Sequence, residues 1–262
     1  MEFSEVPSEV YLEDCMTGMK RYPDKHFDLA IVDPPYGIGE SKKNRNGIIK
    51  IVDKRNGRVS YVKTQNEIKD WDNEPPNREY FVELKRVSKN QIIWGANHFI
   101  ENVPSANSSS WIVWDKCNGT SDFADCELAY TSFRGAVRQF RYMWSGMFQG
   151  KQSFKDGHIF EGNLSLHEKR IHKTHKPCIL YDWLLHNYAK KNCGHKHTKE
   201  YDWLCTDCKH PFKILDTHLG SGSSRIAAYK NGFDFTGFEI DKEYYDKQEK
   251  RFNDFKSQMR LF

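Results

Sequence analysis

Two short runs, Asp28-Leu29-Ala30-Ile31-Val32 and Gln91-Ile92-Ile93-Trp94, constrain this chain most, because their apolar residues are continuous rather than alternating. A strand with one face in water alternates polar and apolar residues. An unbroken apolar strand is buried on both faces, as in a parallel sheet with helices packed on either side. Runs of similar kind lie at Val10–Leu12, Phe27–Val32, Trp111–Trp114, Leu128–Thr131, Lys213–Asp216 and Phe233–Phe238. Helical patterns lie between some of them. Residues 78–88 place Phe81, Leu84 and Val87 on one face, and residues 178–190 place Ile179, Trp183 and Leu184 together. Ser223–Lys230 stops at Asn231-Gly232, a good helix end. Residues 242–257 read as a charged helix with Tyr244, Tyr245, Phe252 and Phe255 inward. Strands alternating with helices predict a doubly wound, mostly parallel α/β sheet.

The 262 residues suffice for one large α/β domain. No apolar run approaches the roughly 18 residues of a membrane helix, and the acidic start, MEFSEVPSEV, has no signal-peptide apolar stretch. The reading is an intracellular protein, and seven cysteines, an odd count, do not suggest a secreted disulfide framework. Net charge is only +4, but the basic residues cluster. Lys42, Lys43, Arg45, Lys50, Lys54, Arg55, Arg58 and Lys63 face Asp53 alone across residues 41–63, and residues 134–176 are also rich in Lys and Arg. These lie in two stretches, 37–75 and 132–172, that break the strand–helix rhythm and read as insertions at one edge of the sheet. They either line a phosphate backbone or are ordinary solvated loops. Asn118, Arg134, Arg138 and Arg141 are candidate contacts.

The first chemical constellation is Asp33-Pro34-Pro35-Tyr36, directly after the strand Phe27–Val32. The C-terminal end of a strand in an open α/β sheet points into the ligand crevice. Two prolines make the turn rigid, and it presents a carboxylate, the Pro34 carbonyl and an aromatic ring. That set suits an amino group on an aromatic base. Such a nitrogen is a poor nucleophile because its lone pair is delocalised into the ring. Two acceptors holding its two N–H groups favour a more tetrahedral nitrogen and aim the lone pair at an electrophile. Tyr36 can stack on a base drawn out of a helix. The plainer alternative is a proline-rich turn without chemistry.

The second constellation runs from Asp216 through Thr217, His218, Leu219, Gly220, Ser221 and Gly222 to Ser223 and Ser224, between a strand and a helix. Gly220 and Gly222 allow a tight turn and close approach of a ligand. Arg225 stands where a dinucleotide fingerprint needs its third glycine, which weakens a nicotinamide-cofactor reading. Glu239, followed by Ile240, lies 23 residues beyond Asp216, about where an acid that grips ribose hydroxyls belongs.

The combination resembles the amino-methylating DNA methyltransferases in their permuted, β-class arrangement, where Asp-Pro-Pro-Tyr precedes the glycine-rich turn. The resemblance covers most of the chain. It implies one S-adenosyl-L-methionine-dependent methyltransferase domain over residues 1–262, with a seven-stranded Rossmann-like sheet. It assigns Asp33, Pro34, Pro35 and Tyr36 to catalysis. It gives Asp14 and Cys15 to the cofactor's adenine, and Trp94-Gly95-Ala96-Asn97 to the target-base pocket. His175, Lys176 and Pro177 would close over the methionine end of the cofactor. Asp33, Asp216, His218, Leu219, Gly220, Ser221, Gly222, Ser223, Glu239 and Ile240 complete the cofactor site. Asp at position 33 is commoner among adenine-N6 enzymes than among cytosine-N4 ones. Double-stranded DNA is the implied partner, with 37–75 and 132–172 recognising it, and a homodimer is a further expectation, as is a place in restriction–modification.

The linker at 192–211 departs from that family. It holds Cys193, His195, Cys205 and Cys208, enough for a tetrahedral structural zinc, or else it is a polar surface insertion with reduced thiols. Cys178 after Pro177 superficially suggests the nucleophile of cytosine-C5 enzymes. Attack by an exocyclic nitrogen needs no covalent intermediate, and a small apolar residue packs well at that helix start. The alternatives to an adenine-N6 enzyme are a cytosine-N4 or RNA methyltransferase, and a nucleic-acid-binding protein without catalysis.

Overall fold

The computed structural model describes residues 6–39, 47–52, 59–64, 72–118, 124–145, 148–150, 168, 171, 175–189 and 212–259. The Cys/His-rich segment 192–211, with the expected zinc ligands Cys193, His195, Cys205 and Cys208, lies outside them. Among the described residues no cluster of His, Cys, Asp and Glu could hold a metal ion, and no helix is long and apolar enough to cross a membrane.

The central sheet contains β1 (Ser8–Leu12), β2 (Phe27–Val32), β5 (Ser88–Trp94), β6 (Trp111–Asp115), β7 (Cys126–Thr131), β8 (Arg138–Arg141), β11 (Lys213–Asp216) and β12 (Asp234–Glu239). Their order is β1-β12-β11-β2-β5-β7-β6-β8. Only β7 runs against the rest, so the sheet is mostly parallel, as its continuous apolar strands require. Two small antiparallel ribbons stand apart from it: β3 (Gly47–Val52) with β4 (Val59–Thr64), and β9 (Met143–Ser145) with β10 (Phe148–Gly150).

The sheet corrects the expected seven strands to eight. The addition, β8, lies inside 132–172, and β6 pairs with it in parallel from Ile112 opposite Arg138. Its sequence, Arg-Gln-Phe-Arg, has one apolar residue, and only Phe140 is buried. An edge strand takes its backbone pairing from its neighbour and needs little apolar pattern of its own.

Each central strand feeds two cores. Leu29 and Ile31 of β2 face a layer containing Leu180, Leu184 and Ala227, whereas Ala30 and Val32 face Phe81 and Leu84. The first layer is built by α3 (Cys178–Tyr188) and α4 (Ser223–Lys230), the second by α1 (Cys15–Met19) and α2 (Arg78–Val87). Fully burying a side chain of this size contributes about 1.5–3 kcal/mol, so both layers add to the stability of the sheet between them. Asn77 caps α2 by accepting from Tyr80 N at 3.1 Å, and its buried face, Phe81, Leu84 and Val87, is the one the spacing predicts. For α3 the inward face is Leu180, Tyr181, Leu184 and Leu185, while Ile179 is exposed. Its sequence is apolar almost all round, so periodicity alone does not select a face. The C-terminal helix α5 (Lys242–Met259) buries Tyr244, Gln248 and Phe252.

Connections leave β2 in one direction along the sheet and β11 in the other, so the topological switch point lies between these two strands, whose register pairs Leu215 with Ala30. Asp33 follows β2 and Asp216 ends β11. The two sequence constellations, distant along the chain, therefore open on the same crevice, the place where an open α/β sheet holds ligands.

Candidate active site

The turn after β2 is held from outside itself. Tyr36 N and Gly37 N both donate to Asp72 Oδ1, each at 2.9 Å. Gly37 has φ +72°, and a Cβ there would meet Pro75 Cδ at 2.5 Å. Asp72 itself is buried. The ring of Tyr36 lies against Gly95, which also has positive φ (+67°), and stacks on His98 with centroids 4.9 Å apart and planes 15° from parallel. The segment Trp94–His98 thus lies directly beside the Asp-Pro-Pro-Tyr turn.

Asp33 has both carboxylate oxygens engaged. Tyr36 donates its hydroxyl to Oδ1 at 2.8 Å, and Lys176 Nζ is 2.5 Å from Oδ2. Lys176 also reaches the Tyr36 hydroxyl at 3.2 Å and Glu127 Oε2 at 3.1 Å. Its ammonium lies 5.6 Å from the centroid of Tyr36 and 5.4 Å from that of Trp94, within cation–π range of both. On the far side Lys116 Nζ pairs with Glu127 Oε1 at 2.5 Å. Two carboxylates and two ammoniums make a neutral, nearly buried tetrad. Burial pushes Asp33 up, Lys176 pulls against it, and the Glu127 charge adds to the rise. Burial would also raise Glu127, but Lys176 and Lys116 outweigh it and hold the carboxyl down at about 2. For Lys176 burial opposes the charge, and Asp33 and Glu127 more than restore it. The Trp94 indole N–H is buried with no hydrogen-bond partner among the described residues.

Across the switch point, Asp216 fixes the start of the glycine-rich turn. Its Oδ1 accepts from His218 N at 3.0 Å and its Oδ2 from the Ser224 hydroxyl at 2.6 Å. Burial raises its carboxyl to about 7 despite those bonds, and burial lowers His218 to about 4. Glu239 fixes the other side, accepting from Gly220 N at 2.7 Å and from Asp241 N at 2.9 Å. Gly220 (φ +52°) and Gly222 (φ +72°) supply the left-handed conformations that bring the chain into α4. Leu12, in register with Glu239, and Ile240 are both exposed, so two apolar side chains border the acid at the strand ends. Asp14 caps α1 by accepting from Thr17 N at 3.1 Å, and Cys15 is buried beneath it with its thiol pushed up to about 12, chiefly by burial.

The segment His175-Lys176-Pro177 divides between the two halves. Lys176 points to Asp33, whereas His175 Nε2 lies 2.9 Å from the Ser223 hydroxyl beside the glycine-rich turn. The same nitrogen lies 2.9 Å from Glu168 Oε1, an oxygen that also pairs with Arg251 and accepts from Ser223 at 3.2 Å. Arg251 in turn donates to the Ser221 carbonyl at 2.7 Å. Burial would raise Glu168, but the His175 hydrogen bond and the Arg251 charge lower it to about 2. Cys178 lies against this carboxylate, and burial together with Glu168 pushes its thiol to about 12, which disfavours a nucleophilic thiolate. Arg134 and Arg138 are exposed, while Arg141 lies 3.2 Å from Cys117 Sγ and Asn118 donates to the Ala124 carbonyl at 3.0 Å.

Sequence reasoning missed Asp72, Lys116, Glu127, Glu168 and Arg251 as parts of this site. Glu127 carried a faint signal, being a charge at the start of an apolar strand.

No protein-family model matches the chain. Among curated proteins it is 24% identical, over an alignment of 281 residues, to the type II methyltransferase M.HinfI of Haemophilus influenzae, covering 93% of this chain and 67% of that one. It is also 24% identical to the type II methyltransferase M2.LlaDCHI of Lactococcus lactis subsp. cremoris, over 92% of this chain and 87% of that one. The solved structure of an M1.HpyAVI–SAM complex overlays with a TM-score of 0.47 at 17% identity, covering 94% of this chain and 98% of that one. Along nearly its whole length, the chain is related to type II methyltransferases.

Proposed function

We propose that the chain is a site-specific DNA methyltransferase that transfers a methyl group from S-adenosyl-L-methionine to the N6 amino group of adenine. The observation that carries this reading is the Asp33 carboxylate at the switch point, fixed by Tyr36 and Lys176 and opposite the Asp216 turn. The relatives' description as type II methyltransferases supports the reaction class.

The residues at the β11 and β12 ends fit the cofactor. Glu239 and Asp14 offer carboxylates to ribose and adenine, exposed Ile240 and Leu12 offer apolar surface to the purine, and the Gly220–Gly222 turn allows close approach. Bound there, S-adenosyl-L-methionine supplies an electrophilic sulfonium methyl. The chain's part is to hold the amine. The Asp33 carboxylate and the Pro34 carbonyl accept its two N–H groups, leaving its lone pair directed outward. Tyr36 offers its ring to the extruded base, and the rigid Pro34-Pro35 turn with its Asp72 anchor keeps the two acceptors in place. Basic residues of 37–75 and 132–172 hold phosphates and read the sequence. A structural zinc at Cys193, His195, Cys205 and Cys208 and a homodimeric state belong to the same reading; elemental analysis and light scattering test them.

The test is methyl transfer from labelled cofactor to duplex DNA of varied sequence, followed by digestion to nucleosides. N6-methyldeoxyadenosine is the expected product. N4-methyldeoxycytidine alone, or product only with RNA, moves the reading to the corresponding acceptor. Cofactor binding with no transfer to any nucleic acid overturns it in favour of a binding protein. Sequencing with modification detection in an expressing host then identifies the recognition site.

A further inference from the structure

The Lys176 ammonium stands on the oxygen that an incoming amine needs. It is 2.5 Å from Asp33 Oδ2, flanked by the rings of Tyr36 and Trp94, and almost wholly buried. An ammonium and an aryl amine both donate N–H to a carboxylate, so the lysine competes with the target base for Asp33. If Asp33 were its only counterion, expelling it would leave a bare buried charge, which is strongly unfavourable. The structure provides a second counterion. Glu127 Oε2 lies 3.1 Å from Nζ and has no other partner among the described residues, whereas its other oxygen is held by Lys116.

We propose that Glu127 is a positioning residue that gives the Lys176 ammonium a second seat, so that Asp33 can exchange the lysine for the amino group of the target base. This rests on the methyltransferase reading above. In the resting arrangement Lys176 is shared and lies closer to Asp33. When the base enters, the ammonium shifts wholly to Glu127 Oε2 and the amine takes Asp33 Oδ2. The net charge of the tetrad does not change in the exchange: the ammonium stays beside Glu127, and Asp33 keeps the Tyr36 hydrogen bond and takes an N–H of the amine in place of the lysine's. Tyr36, bonded to Asp33 Oδ1, holds the carboxylate still while its other oxygen changes partner.

The test compares the wild-type protein, Glu127→Gln, and Glu127→Gln combined with Lys176→Met, on duplex DNA carrying the recognition site. Glutamine keeps the shape but offers no charge, so Lys176 stays locked on Asp33. The methylation rate at saturating DNA and cofactor is expected to fall tenfold or more, while calorimetric binding of S-adenosylhomocysteine stays within twofold. Removing the lysine as well frees Asp33, and the double variant is expected to regain at least fivefold over Glu127→Gln. A merely structural role for Glu127 gives no such rescue. An unimpaired Glu127→Gln, or an impaired one that Lys176→Met does not rescue, overturns the proposal. If Glu127→Gln does not fold, Glu127→Asp replaces it, with a several-fold loss expected and the same rescue required. A wild-type protein that methylates no nucleic acid overturns the functional reading and this proposal with it.

Discussion

Gly95 and Tyr36 share a space that no side chain at position 95 could enter: a Cβ on Gly95 would fall within 3.0 Å of three atoms of the Tyr36 ring. The ring is held there on three sides, by His98 stacked against it, by its hydroxyl on Asp33 and by Asp72 under its backbone N–H. Gly95→Ala therefore forces Tyr36 to move and also strains a backbone at φ +67°. The expected cost in stability is about 1–3 kcal/mol, read as a shift in the denaturation midpoint. Methyl transfer should fall by more than stability explains, because the displaced hydroxyl no longer fixes Asp33. An alanine variant with native rate at a temperature where it is fully folded would contradict this.

Asp33→Ala should lower methyl transfer about 100-fold or more, given what one preorganised hydrogen-bonding group at a reacting centre contributes. Cofactor affinity should change little, because the Asp216 and Glu239 turns are held by their own backbone bonds. The fold should survive too, since Lys176 retains Glu127 as its counterion. Isothermal titration with S-adenosylhomocysteine beside a methylation assay separates the two effects. A normal rate in Asp33→Ala contradicts the role given to this carboxylate.

Glu168 ties together Arg251, Ser223, His175 and the start of α3, and its carboxyl lies at about 2, below the usual 4.5. A depressed carboxylate contributes stability that is complete above its unfolded pKa and is lost as pH falls through the folded one. The window is thus from about 4.5 down to about 2. Glu168→Gln should cost roughly 3 kcal/mol at pH 7, and the difference from wild type should shrink as the medium is acidified through that window. Urea unfolding at pH 7, 4.5 and 3 measures it. A difference that does not vary with pH would show that the charge on Glu168 is not what holds the cluster.

These predictions draw on residues that the sequence reveals unequally. Asp33-Pro34-Pro35-Tyr36 and Gly220-Ser221-Gly222 are legible because their chemistry is local: a strand end, a rigid or permissive turn, and the side chains within it. The parallel sheet is legible because burial on both faces leaves continuous apolar runs. The tetrad is not, because Lys116 follows β6, Glu127 lies in β7 and Lys176 precedes α3, and they meet with Asp33 only when these segments are packed. Asp72 is hidden for the same reason: its role is to accept two backbone N–H groups from a turn far from it in sequence. The eighth strand, Arg138–Arg141, is hidden because backbone pairing, not side-chain pattern, recruits it.

Gly222 caps α4 in the left-handed region at φ +72°, and a Cβ on it would meet Gln248 Cβ at 3.1 Å and Oε1 at 3.2 Å. Gln248 is itself fixed, accepting from buried Arg225 at 3.0 Å, so it cannot simply swing away. Gly222→Val adds a β-branched side chain to this contact and to a backbone that disfavours any side chain. The strain is relieved by opening the turn, which lifts Gly220 N from Glu239 and loosens the acid of the proposed cofactor site. Calorimetry should show S-adenosylhomocysteine bound about tenfold more weakly or worse, equivalent to about 1.4 kcal/mol. Because the turn after β2 is held by its own contacts with Asp72, Gly95 and Lys176, the hydrogen bond between Tyr36 and Asp33 should persist, and raising the cofactor concentration should restore much of the methylation rate. A variant whose rate is not recovered at saturating cofactor would place the damage in the catalytic half rather than in the glycine-rich turn.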